Sequence, residues 1–166
     1  MRPITIVLLA GALAIGVGTY ALTWFTQVSG HSKIKLRPGE ITVCMDGTCT
    51  TAQSDSADYD STWLGVTNAC KIAGGLGILA CGAAAAMAQG RKSQLGTGGT
   101  AIKRTHVLFA ALIGMGLTAA SLLMVPMGLS SSPGIFVALV GYAVGVGGLV
   151  LLKDEPSPAP APRPGS

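Results

Sequence analysis

Two of the four cysteines lie five positions apart in the polar stretch ITVCMDGTCTT, residues 41–51. A cysteine pair can form a structural disulfide, exchange electrons with a partner thiol, or hold a soft metal ion. Cys44 and Cys49 flank Asp46–Gly47, a dipeptide typical of type I′ hairpin turns, in which both positions need a positive φ. That turn places Cys44 opposite Cys49 in a non-hydrogen-bonded pair, with Cα atoms about 4.5 Å apart, which a disulfide can bridge. We therefore predict a cross-strand disulfide; a redox-active pair and a metal site with His31 are the alternatives.

Lys71 is the one charged residue inside an apolar helical stretch, and Asn68 lies one turn before it. Ionisable groups within a membrane span are functional candidates, so these two residues form a candidate intramembrane polar site. The interpretation we prefer places Lys71 near the outer boundary, where its amine extends toward water. Cys70, beside that charge, is the thiol with a plausible activating neighbour. Beyond these, no catalytic residue, metal ligand or cofactor is expected.

Composition fixes the class of protein. The chain has 166 residues, of which 49% are hydrophobic and 11% charged, with a mean hydropathy of +0.57. Soluble globular proteins carry about 25% charged residues, so this is a membrane protein. Its eleven basic residues lie in short clusters beside apolar runs without an aromatic or basic stripe, so no nucleic-acid partner is expected.

Four apolar stretches are each long enough to cross a bilayer as a helix, which takes about 20 residues. The predicted helices cover about 3–26, 61–88, 106–129 and 134–152, and the first is read as a retained anchor because its apolar part is longer than that of a signal peptide. Small residues recur at every fourth position, which predicts a tight four-helix bundle. A disordered, proline-rich tail is expected over 153–166.

Basic residues indicate the orientation of the bundle. Arg91, Lys92, Lys103 and Arg104 lie between the second and third helices with no acid among them. The positive-inside rule therefore places this loop and both termini in the cytoplasm, and the loop 27–60 outside. The basic residues of KIKLR, residues 33–37, favour the opposite orientation.

The outer loop is predicted to be a three-stranded antiparallel sheet. The segments KIKLR, EITVCM and TCTTAQ are separated by the turn dipeptides Pro-Gly and Asp-Gly, and the first alternates charged and aliphatic residues with the period of a strand. Pairing across both turns brings five apolar side chains to one face, namely Ile34, Leu36, Ile41, Val43 and Met45. A sheet this small is marginal alone, so this face must lie on the helix ends or on a partner. We expect it to be an interaction surface.

This arrangement resembles the claudin and peripheral-myelin-protein group: four helices with both ends inside, an outer sheet in the first loop, and a second helix that begins above the membrane. Cys44 and Cys49 on neighbouring strands are the residues that carry the resemblance. It implies lateral or cell-to-cell association through the outer sheet.

The function expected from the sequence is non-enzymatic. It is association with a second copy or a partner membrane protein through the sheet that carries the predicted Cys44–Cys49 disulfide. Membrane lipid is the other expected partner, and the location is a plasma membrane or bacterial inner membrane. Two alternatives stay open. One is an accessory subunit of a larger membrane complex or transporter, and the other is a membrane thiol-disulfide oxidoreductase that uses Cys70.

Overall fold

The computed structural model describes residues 2–53, 61–89 and 104–152. Four helices in these ranges are long and apolar enough to cross a membrane, as expected of a multi-pass membrane protein. They are α1 (Pro3–Gly16, continued by a π-helical turn over Val17–Ala21), α2 (Ser61–Ala88), α3 (Arg104–Leu123) and α4 (Pro133–Leu151). The predicted tail, 153–166, lies outside the described residues.

Two helices end sooner than the sequence pattern indicated. The first was expected to reach about residue 26, but Leu22 already has extended backbone angles, with φ −98° and ψ 151°. The residues that follow are β-branched and aromatic, types that favour strands. The third helix was expected to reach residue 129 and ends at Leu123, shortly before Pro126, because a proline disfavours helical angles in the residue that precedes it.

The described strands form one antiparallel sheet. They are β1 (Phe25–Ser29), β2 (Ser32–Arg37), β3 (Glu40–Met45), β4 (Thr48–Gln53) and β5 (Ser130–Ser131), in the spatial order β4-β3-β2-β1-β5. The three segments expected to be strands are β2, β3 and β4, whereas β1 and β5 are additional. Because β5 belongs to the connection between α3 and α4, both connections at this end of the bundle contribute to the sheet.

The register of the hairpin follows from its turn. Asp46 and Gly47 have φ values of 47° and 85°, the positive angles that a type I′ turn requires. Met45 pairs with Thr48 and Cys44 with Cys49, as predicted. The β2–β3 turn differs, since only Gly39 has a positive φ, of 80°, consistent with Pro-Gly at the centre of a type II turn.

Glycines and alanines bring the helices of the bundle close together. A methyl group added to Gly141 of α4 would lie 2.6 Å from the backbone nitrogen of Ile15 in α1, and one added to Gly18 would collide with the backbone of Ala138. Since hydrocarbon offers helices no hydrophobic reason to associate, such close approach supplies the van der Waals contact that holds them together.

Tyr142 fills the centre of the bundle from α4. Its ring lies in a notch between Gly77 of α2 and Gly114 of α3, where an added methyl would come within 2.8 Å and 2.5 Å of the ring, respectively. Ile15 and Cys81 share this buried cluster. One aromatic side chain thus joins three helices, which is possible because two of them present glycine at that level.

Candidate interaction surface

The sheet rests on the helix ends through a cluster of large side chains. Phe25 of β1 and Trp63 of α2 meet edge to face, with ring centroids 5.4 Å apart. Trp24 is buried beside them, and its indole N–H donates to the Gly18 carbonyl over 2.7 Å. The Trp63 indole N–H donates to the Ser121 carbonyl over 3.2 Å. Both tryptophans therefore bury their apolar area without leaving the indole N–H unpaired.

The backbone reinforces this attachment. The Trp24 N–H donates to the Leu36 carbonyl over 2.8 Å, and the Trp24 carbonyl accepts from the Ser132 N–H over 2.7 Å. The Gly134 N–H donates to the Thr23 carbonyl over 3.0 Å. The chain that leaves the first helix is thus bonded to a central strand and to the start of α4, which fixes the sheet relative to the bundle.

The apolar face of the sheet, here called the inner face, is covered by the protein's own helices. Leu36 and Ile41 are 1% and 6% exposed, and they belong to the same buried cluster as Trp24, Phe25 and Trp63. Ile34 and Val43 are partly buried against that cluster. Only Met45, which is 60% exposed, extends past it.

This corrects the expectation that all five residues form a surface for partners. Alternation with period two shows that one face will be buried, but it does not identify what covers that face. Trp24 and Phe25, which the apolar pattern places in the first helix, are the unexpected members of this cluster. The strand signal was present in TWFTQVSG, where β-branched and aromatic residues precede a Ser-Gly turn.

The opposite face, here called the outer face, carries the disulfide. The sulfur atoms of Cys44 and Cys49 are 2.07 Å apart and the Cα atoms 4.0 Å, which confirms the predicted cross-strand bond. Thr42 and Thr51, the next pair on this face, have their hydroxyl oxygens 3.0 Å apart. The β3–β4 hairpin is therefore joined covalently and by a side-chain hydrogen bond.

β4 is the most accessible strand. All six of its residues are exposed, and β3 is the one strand that pairs with it in the described part of the chain. Because Cys44 and Cys49 form a non-hydrogen-bonded pair, the backbone groups of Cys49, Thr51 and Gln53 point away from β3. Within the described part of the chain these groups form an edge that can pair with another strand.

Lys71 lies where the sheet meets the bundle. A methyl group placed on Gly39 in the β2–β3 turn would be 3.0 Å from the Cδ atom of Lys71, so the Lys71 side chain lies against that turn. The backbone carbonyl of Lys71 accepts a 2.5 Å hydrogen bond from the Tyr20 hydroxyl. Asn68 is half-buried one turn earlier. The contact with the Gly39 turn shows that the Lys71 side chain extends toward the sheet. A role for Asn68 and Lys71 in binding or transport stays a prediction.

Buried hydroxyl groups lie along the contact between α2 and α3, where no sequence motif marks them. The Thr67 hydroxyl donates to the Trp63 carbonyl over 2.9 Å and lies 3.3 Å from the Ser121 hydroxyl. The Thr118 hydroxyl, one turn earlier in α3, donates within its own helix to the Gly114 carbonyl over 2.8 Å. Buried hydroxyls of this kind hold neighbouring membrane helices in register.

The remaining cysteines are buried in the bundle. Cys70 is 1% exposed, whereas attack on an external disulfide needs an accessible thiolate. The oxidoreductase alternative therefore loses the thiol on which it depended. The sulfur of Cys81 packs on Gly145, consistent with a packing residue. Among the described residues, no three His, Cys, Asp or Glu side chains are grouped so that they could hold a metal ion.

Comparison of the chain with protein-family models and with curated proteins gave no match.

Proposed function

We propose that this chain is a non-enzymatic, multi-pass membrane protein whose sheet is extracytoplasmic and mediates association with a second copy or a partner membrane protein. The observation that carries the proposal is the exposure of β4 along its whole length, at the edge of a sheet that is otherwise fixed to the helices. Recognition would use the edge of β4 together with the outer face, since the inner face is covered by the protein's own helices.

The composition of β4 supports this role. Thr48–Gln53 contains no charged residue and no proline, although natural proteins usually protect an edge strand with one or the other. An extended segment of a partner can add to such an edge through main-chain hydrogen bonds. The disulfide to β3 holds the strand in place before the partner arrives, which lowers the entropy lost on binding.

Thr51→Pro tests the proposal at one outward-facing position. Proline removes an N–H that points away from β3, so the β3–β4 ladder keeps its hydrogen bonds while the edge loses a donor. Thr51→Val is the matched control, because it also removes the hydroxyl bonded to Thr42 but keeps the backbone donor. We expect crosslinking in native membranes to give assemblies with the wild type and Thr51→Val, and monomers with Thr51→Pro. Unchanged assembly of Thr51→Pro would exclude recognition through this edge.

Replacing Cys44 and Cys49 together by Ser tests the disulfide separately. If the bond prepares the edge for binding, assembly on native gels should weaken while the bundle stays folded. Assembly that is the same as in the wild type would show that the disulfide does not shape the contact.

The orientation and the location belong to the same proposal. The basic residues of the connection between α2 and α3 favour a cytoplasmic position for it and for both termini, in a plasma membrane or bacterial inner membrane. The resemblance to the claudin and peripheral-myelin-protein group, carried by Cys44 and Cys49 on neighbouring strands, implies the same role in association. Membrane lipid surrounds the spans in any of these cases.

An accessory subunit is the second candidate, favoured by an apolar groove of about 590 Å³ between α2 and α3. Ala83 and Ala86 lie along the groove and His106 near the start of α3, so the side chains of a partner's helix can enter it. Ala83→Trp would fill the groove. Native mass spectrometry should then show loss of a larger complex with this variant and not with Gly147→Trp, at a position where nothing lies within 4 Å of an added Cβ. A complex that survives Ala83→Trp would exclude this groove as the contact.

A further inference from the structure

A row of three cations follows β2 on the outer face. Lys33, Lys35 and Arg37 alternate with the inner-face residues Ile34 and Leu36, so successive cations are about 6.6 Å apart along the strand. In the described part of the chain none of the three forms an ion pair. No side chain among the described residues neutralises them.

The charge is least compensated at the two lysines. Glu40 lies opposite Arg37 in the register of β2 and β3. Lys33, by contrast, lies between Val28 and Cys44, and Lys35 between Thr26 and Thr42. Among the described residues no carboxylate lies opposite either lysine in the register; Asp46, in the β3–β4 turn, is the acidic residue nearest to the Lys33 end of the row along β3.

The row leads away from the membrane-spanning part of α2. Its Arg37 end adjoins the turn at Gly39, which lies against Lys71. Phe25 pairs with Leu36 and contacts Trp63. Trp63 lies about 12 Å nearer the start of α2 than Lys71 does. Lys33 lies about 13 Å from Arg37 along the strand. This distance is greater than the Debye length, which is about 8 Å at physiological salt. The Lys33 end of the row therefore lies well away from the turn that contacts Lys71.

We propose that this outer face binds an extended acidic segment of a partner protein, with carboxylates at alternate positions. Such a segment repeats its carboxylates every 6.6–6.8 Å or so, the spacing of the cations in β2. The inference rests on the proposed function, since it names the chemistry of the associating partner. It also accounts for basic residues in a loop where the positive-inside rule disfavours them.

The test measures peptide binding to the full-length protein in zwitterionic nanodiscs by fluorescence anisotropy. The probe is a labelled peptide of alternating Glu and Thr, and the control peptide has Gln in place of Glu. We expect salt-sensitive binding of the Glu peptide only, weakened about tenfold or more by Lys33→Gln with Lys35→Gln. Arg91→Gln with Lys92→Gln changes the net charge equally in the connection between α2 and α3, and should leave binding unchanged.

Two results would overturn the inference: equal affinity of the Lys33/Lys35 variant and the wild type for the Glu peptide, or binding through these lysines to phosphatidylglycerol vesicles without binding to the peptide. Neither result depends on assembly. If Thr51→Pro disrupts assembly while peptide binding ignores Lys33 and Lys35, the acidic partner is excluded and the role in association stands.

Discussion

In the bundle, α1 and α4 meet through glycines and alanines, whereas the sheet meets the helix ends through Trp24, Phe25 and Trp63. The surroundings explain the difference. Helices in hydrocarbon gain from close backbone contact because no water is displaced, while a sheet in water gains from each large apolar side chain that it buries. Among the described residues, the sheet also exposes the whole of β4 and carries Lys33 and Lys35 on its outer face, so it is where we propose recognition.

Trp63→Ala should have the largest effect on stability, because it removes a large side chain that attaches the sheet to the helices. It removes the ring against Phe25 and leaves a cavity, so we expect the free energy of unfolding in detergent micelles to fall by about 3–5 kcal/mol. Limited proteolysis should then cut the sheet before the helices. Thr62→Ala, at an exposed neighbour, should change stability by about 0.5 kcal/mol or less. A loss no larger than that control would show that the aromatic cluster does not hold the sheet.

Gly141→Ala tests the bundle side. Its new methyl group would lie 2.6 Å from the Ile15 backbone nitrogen, and backbone cannot yield as a flexible side chain does. We expect α1 and α4 to separate slightly, at a cost of about 1–3 kcal/mol in the free energy of unfolding. Gly147→Ala is the control on the same helix, since nothing lies within 4 Å of the added methyl. Equal stability of the two variants would contradict close packing at Gly141.

Tyr142→Phe should have the smallest effect and the opposite sign. The Tyr142 hydroxyl is buried without a hydrogen-bond partner among the described residues, so its removal should raise the free energy of unfolding by about 1 kcal/mol. Tyr20→Phe removes a hydroxyl that donates to the Lys71 carbonyl and should lower it by about the same amount. The two values come from SDS titration of the purified proteins. A destabilising Tyr142→Phe would mean that the hydroxyl has a partner.

The parts of this fold that were predictable are those set by local chemistry. The Asp46–Gly47 turn determines the register that joins Cys44 to Cys49, because only a few residue types accept two positive φ angles. Apolar length identifies the spans. In both cases the signal lies within a short stretch of chain.

The remaining features depend on distant residues. Phe25 forms a strand because β2 and β5 offer it partners, yet its own sequence continues the apolar run of the first helix. Ser130 and Ser131 pair with β1 although two serines have no strand pattern. The cover over Leu36 and Ile41 comes from tryptophans near the ends of two helices, which no periodicity within the strands could indicate.

We propose that the sheet is extracytoplasmic, and its inner face is closed against the helices. Labelling of intact cells with a membrane-impermeant maleimide tests it directly, with Val28→Cys on the outer face, where the native residue is 70% exposed, and Leu36→Cys on the inner face, where it is 1% exposed. We predict rapid labelling of Val28→Cys from outside and labelling of Leu36→Cys only after unfolding. Labelling of Val28→Cys only in permeabilised cells would contradict the extracytoplasmic position of the sheet. Labelling of Leu36→Cys as fast as Val28→Cys would contradict the closed inner face.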